Sequence, residues 1–176
     1  MKTFRRILLI LLIIIAALAV IPFLIPIDES GIDPAQLVDD ADGAFYTVQG
    51  VRLYVEDKGD ADAPPIMLLH GLFGSTEVWR YNVDALVNAG FRVIAFDRPG
   101  FGLSDKIETF DYSVGNQADL TAQLMEMLGI DRAAIVGHSA GGNVAAHFAV
   151  RHPERVERLV LVDAAGLADR KSTRLN

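Results

Sequence analysis

Residues 133–142 read Ala133-Ala134-Ile135-Val136-Gly137-His138-Ser139-Ala140-Gly141-Gly142. An apolar run of strand length, Ala133 to Val136, leads into the five residues Gly137 to Gly141, and a small-residue helical pattern follows from Asn143 to Val150. The order is strand, sharp turn, helix, with a serine at the apex. A serine there must hold a strained backbone, tolerable only if the residues two before and two after carry no colliding side chain. Gly137 and Gly141 meet that condition. The turn lifts the Ser139 hydroxyl clear of the sheet edge. It also aims the Ala140 N–H, at the positive end of the new helix, toward any negative charge that develops beside that hydroxyl. Glycine-rich turns between strands and helices are common, so this stretch alone is equally readable as a turn without chemistry.

Working outward, Phe45 to Val48 and Val51 to Glu56 are β-rich runs joined by Gln49-Gly50, an antiparallel hairpin by its turn chemistry. Ile66 to Leu69 is continuously apolar, as a strand buried on both faces is, and the sheet is expected to be parallel from there on. It ends in His70-Gly71-Leu72-Phe73-Gly74-Ser75. A helix is expected over Thr76 to Asn88, with Val78, Trp79, Val83, Leu86 and Val87 as its apolar stripe. Val93 to Phe96 is the next strand and runs into Asp97-Arg98-Pro99-Gly100-Phe101-Gly102-Leu103-Ser104-Asp105. That Gly-x-Gly lacks the third glycine and the immediate helix of a dinucleotide site, which excludes the cofactor reading. Val114 to Leu128 is helical, with Ser113 as N-cap, Leu120, Leu124, Met127 and Leu128 on the buried side, and Met125 and Met127 as core filler. Pro153 ends the helix after the serine turn. Val156 to Val162 is the last strand, followed by Asp163-Ala164-Ala165-Gly166. His147 lies eight residues beyond Ser139, about two helical turns away, too far for a hydrogen bond to the hydroxyl.

Three loops thus leave successive buried strands at their carboxyl ends, where open parallel sheets place their ligands. Together they resemble the oxyanion loop, the Asp-x-x-Gly-x-Gly-x-Ser loop and the nucleophile elbow of the α/β-hydrolase superfamily with a serine nucleophile. The resemblance covers about Phe45 to Leu167. It implies an α/β fold: a mostly parallel sheet with flanking helices, comprising the N-terminal strands through the one after the nucleophile helix. It further implies acyl transfer from a small ester, thioester or related carbonyl substrate, without cofactor or metal. By it Ser139 attacks, and the N–H groups of Leu72 and Ala140 hold the oxyanion, with Phe73 the alternative donor if the loop is shifted by one. His70 is expected to be an internal hydrogen-bonding residue of its loop, and Asp97 and Arg98 to pair with each other. The family's triad order is serine, acid, histidine. Asp163 is the candidate acid, and no histidine follows His152. The alternatives on the same scaffold are a carbon–carbon bond hydrolase or an acyltransferase; outside catalysis, the alternative is an anchored binding protein.

Composition sets the rest. Lys2, Arg5 and Arg6 precede an uncharged run from Ile7 to Ile27, long enough at about 1.5 Å per residue to cross a bilayer core. Residues 1–27 are therefore expected to be a transmembrane signal anchor, with Pro22 and Pro26 kinking or ending its outer turn. The basic flank places the N-terminus in the cytoplasm and the domain on the extracytoplasmic side. The alternative is a signal peptide cleaved after Ala17-Leu18-Ala19, giving a secreted or periplasmic protein. Residues 28–44 read as a linker and 45–168 as the partial hydrolase domain. From Asp28 to Ala168 there are 22 acidic and 10 basic residues. That excess repels phosphate backbones, so nucleic acid is excluded as a partner, leaving a small-molecule substrate and, through the N-terminal helix, the membrane. Cysteine is absent, which excludes thiolate chemistry and disulfides. Residues 169–176, DRKSTRLN, break the acidic character and resemble the translation of a sequencing-library adapter. They are expected to be a non-native tail on a C-terminally truncated chain, with Val156 to Val162 left as an aggregation-prone hydrophobic edge.

Overall fold

A computed structural model describes residues 2–24, 31–38 and 43–166. The chain divides into two compact units, Met1–Asp33 and Pro34–Asn176. The first contains helix α1, Lys2–Leu24, whose span from Phe4 to Ile21 is long and apolar enough to cross a membrane. It runs past Pro22, so that proline does not end it; Pro26 lies outside the described residues.

The second unit is built on a six-stranded sheet: β1 Ala44–Val48, β2 Val51–Lys58, β3 Pro65–Leu69, β4 Arg92–Phe96, β5 Ala133–His138 and β6 Val156–Val162. The spatial order is β1-β2-β4-β3-β5-β6. β1 and β2 form the antiparallel hairpin, β2 pairs antiparallel with β4, and the pairs β3–β4, β3–β5 and β5–β6 are parallel. Helices α2 Arg80–Asn88, α3 Val114–Met127 and α4 Ala140–Arg151 complete it.

Side chains alternate across the parallel strands, which is why their sequences are continuously apolar. Met67, Leu69, Ile94, Phe96, Ala133 and Ile135 face one way and pack with Leu120, Leu124, Met125 and Phe148 of α3 and α4. Ile66, Leu68, Val93 and Ala95 face the other way, toward Trp79 and Val83. That second face is only partly covered. Beside α2 an apolar cavity of about 550 Å³ is lined by residues that include Ile66, Leu68, Trp79, Leu86, Val136 and Val160. β1 and β6 are the edge strands of the sheet, and Leu159, Val160, Leu161 and Val162 of β6 are exposed.

Four local expectations are corrected. The helix over Thr76 to Asn88 is two elements, a 3₁₀ turn Thr76–Trp79 followed by α2. With three residues per turn, Thr76 and Trp79 fall on one side and are buried, while Val78 points out, 42% exposed. Met127 is also outside, 53% exposed: the buried stripe of α3 runs through Gln117, Thr121, Leu124 and Met125, and Met127 falls off it. α4 begins at Ala140 rather than Asn143. Asp97 and Arg98 do not pair. Successive side chains at a strand end leave in opposite directions, and each finds separate partners.

Candidate active site

β5 ends in the turn that the glycine spacing foretells. Ser139 has φ 51° and ψ −119° and is the N-cap of α4. Its N–H donates to Val162 O at 3.0 Å, and its carbonyl accepts from Gly142 N at 3.0 Å and Ala165 N at 2.9 Å. The strained residue is thereby tied to both α4 and the end of β6. A Cβ on Gly141 would overlap the carbonyl oxygens of Leu69 and His70, and one on Gly137 would lie 2.5 Å from Gly141 O. Neither position admits a side chain without moving backbone.

This close approach packs the elbow against the loop after β3. A Cβ on Gly71 would stand 3.1 Å from Ser139 Cβ and 3.1 Å from His138 Nδ1. Leu72 and Phe73 follow directly. Phe73 has φ 56° and is 90% exposed. Ala140, the other donor named from the sequence, is the first residue of α4, with its N–H at the positive helix end.

Beneath the loop lies a buried polar network. His70 Nε2 accepts from Arg98 N–H at 2.9 Å, so its Nδ1 carries the proton and donates to Gly71 O at 2.7 Å. Burial lowers the imidazole pKa to about 4 despite the bond to Gly71, and Arg98 lowers it further. His70 is therefore a neutral internal residue of the loop, as expected, and no base. The Arg98 guanidinium donates to Gln117 Oε1 at 2.8 Å and Gly71 O at 3.2 Å; burial pulls its pKa down to about 10. Asp97 accepts from Thr76 N at 2.6 Å and Leu103 N at 2.7 Å, with its carboxylate where a Cβ of Gly102 would be. Burial raises its pKa against the opposing effect of those two N–H groups. Asp97 thus clamps the start of the 3₁₀ turn to the loop after β4.

The remaining histidines have other partners. His138 packs edge-on against Trp79, His147 contacts Asn143 O in its own helix at 3.0 Å, and His152 contacts Asp119 Oδ1 at 2.8 Å. None of the four hydrogen-bonds to Ser139, and Asp163 is exposed at φ 44° with no side-chain hydrogen bond among the described residues. No group of three or more metal-ligating side chains occurs among the described residues. Sequence reasoning missed Gln117 and the contacts of Arg98; the only signal was two polar residues, Gln117 and Thr121, on the buried stripe of α3.

Residues 64–175 match a family model described as the alpha/beta hydrolase fold. The chain is 38% identical over 120 residues to the AB hydrolase superfamily protein YfhM of Bacillus subtilis, covering 68% of this chain and 42% of the relative. It is 42% identical over 119 residues to a 2-hydroxy-6-oxononadienedioate/2-hydroxy-6-oxononatrienedioate hydrolase of Paraburkholderia phymatum, covering 64% and 40%. Among solved structures, a meta-cleavage product hydrolase from Pseudomonas fluorescens superposes with a TM-score of 0.66 at 35% identity, covering 75% of this chain and 48% of that one. The chain thus spans less than half the length of these relatives.

Proposed function

Since this chain belongs to the α/β-hydrolase family, we propose that it is the nucleophile-bearing part of a membrane-anchored serine hydrolase acting on an acyl substrate. One observation carries the reading: Ser139 is held at positive φ on the strand-to-helix turn, against the loop after β3. Backbone strain of this kind persists only where the surroundings enforce it, and it clusters at reacting groups. Ser139 Oγ attacks the carbonyl carbon as its proton passes to the histidine of the whole protein's triad, the C=O π pair moves onto the oxygen, and the oxyanion so formed accepts from the N–H groups of Leu72 and Ala140. Leu72 is preferred to Phe73 because the peptide bearing its N–H is anchored from below. Asp163 is the candidate acid of the whole protein's triad, at the carboxyl end of the strand after the elbow. The apolar α1 supports anchoring, and its basic flank supports a cytoplasmic N-terminus.

A second reading, cleavage of a carbon–carbon bond in a meta-cleavage product, draws on the relatives so named. Steady-state assays of the full-length protein on p-nitrophenyl esters and on a meta-cleavage product separate the two. Ester turnover abolished by Ser139→Ala supports acyl transfer; turnover of the meta-cleavage product alone supports the second reading. Turnover of neither sinks both.

A further inference from the structure

The carbonyl oxygen of Gly71 is held by three donors at once. His70 Nδ1–H reaches it at 2.7 Å, an Arg98 guanidinium N–H at 3.2 Å and Gly74 N–H at 3.3 Å. Such convergence on one backbone oxygen is more than satisfaction requires, since a carbonyl has two lone pairs. Gly71 C=O and Leu72 N–H belong to one planar trans peptide and point in opposite directions. Fixing the oxygen fixes the N–H.

The donors are themselves fixed. His70 has both ring nitrogens engaged, which leaves it a single tautomer. Gln117, which accepts from Arg98, donates through Nε2 to Tyr112 O at 2.8 Å, so its amide orientation is set. The Arg98 guanidinium lies 5.3 Å from the centroid of the Phe101 ring, and Arg98 is only 3% exposed. Its partners are all neutral: no carboxylate among the described residues pairs with it, and its Nε has no partner there. A buried cation left without an anion lowers the energy of negative charge nearby, and in low dielectric that effect is large. It also polarises the peptide it donates to.

We propose that Arg98 and neutral His70 are positioning residues for the oxyanion hole: through Gly71 O they set the direction of the Leu72 N–H, and the Arg98 charge backs it. The assignment of Leu72 to the hole rests on the acyl-transfer reading above; the clamp on the peptide does not. The test therefore has two readouts on the full-length protein. One is NMR of the Gly71–Leu72 pair, labelled with ¹³C-carbonyl glycine and ¹⁵N-leucine and identified by the cross-peak lost in Leu72→Ile. The other is the second-order rate of Ser139 phosphonylation by an alkyl fluorophosphonate.

In Arg98→Met, the Gly71 carbonyl signal is expected to move upfield more than those of other Gly–Leu pairs. Phosphonylation is expected to fall by about tenfold to a hundredfold, approaching the loss of one oxyanion donor. Arg98→Lys, which keeps the charge and loses the fork, should fall between and serves if Arg98→Met does not fold. Unmoved Gly71–Leu72 signals overturn the clamp. Moved signals with an unchanged phosphonylation rate overturn the positioning role. Moved signals in a protein whose wild type is never phosphonylated leave the clamp standing and refute the acyl-transfer reading instead.

Discussion

Strands β5 and β6 run parallel side by side, and each hands over to a non-glycine residue with positive φ, Ser139 at 51° and Asp163 at 44°. Their surroundings differ. Around Ser139, Gly137 and Gly141 leave no room for a Cβ, the loop after β3 lies against it, and its backbone is bonded on both sides. Asp163 is exposed, at the end of a half-bare edge strand. The same backbone sign is therefore held in two different ways. What singles out the end of β5 is strain enforced by close packing beside a rigid set of donors.

That contrast breaks most easily at Gly141. Gly141→Ala puts a methyl group onto the carbonyls of Leu69 and His70, and a loss of about 4 kcal/mol or more is expected by denaturant unfolding. Asp97→Ala leaves the buried N–H of Thr76 and the half-buried N–H of Leu103 without their acceptor, and should cost about 3 kcal/mol. A loss under 1 kcal/mol in either variant would mean that the loops around Ser139 are no better enforced than the end of β6.

His70 sharpens the comparison through pH. Its pKa is about 4 in the fold against 6.5 unfolded, so between those values the unfolded chain binds more protons. Its contribution is complete above pH 6.5 and declines as pH falls toward 4, by about 3 kcal/mol at most. His70→Asn, which does not titrate, should lose that slope relative to the wild type; an unchanged slope contradicts a neutral buried imidazole. Smaller effects come from relieving the strain itself. Ser139→Gly should be more stable than Ser139→Ala by about 1 kcal/mol, because both lose the hydroxyl and only glycine accepts the backbone freely. Asp163→Gly should gain at most about 0.5–1 kcal/mol in thermal unfolding. A gain at Asp163 larger than that at Ser139 would invert the comparison.

The sheet was legible because side chains buried on both faces leave a continuous apolar run, and the elbow because only glycine fits two places beside Ser139. Local spacing carried less elsewhere. Adjacency of Asp97 and Arg98 suggested a pair, yet the backbone at a strand end sends neighbours apart. A helical stripe placed Val78 and Met127 inside, and the 3₁₀ turn and the true rotation of α3 put both in solvent. The three donors on Gly71 O come from residues 70, 74 and 98, and Arg98 is braced in turn by Gln117. No sequence window joins them, and only the parallel pairing of β3 with β4 brings them together.

The most direct test is mass-spectrometric mapping of the full-length protein after treatment with an alkyl fluorophosphonate. One adduct is expected, on the Ser139 peptide, absent in Ser139→Ala. No adduct on Ser139, or an adduct on another serine that survives in Ser139→Ala, would contradict it.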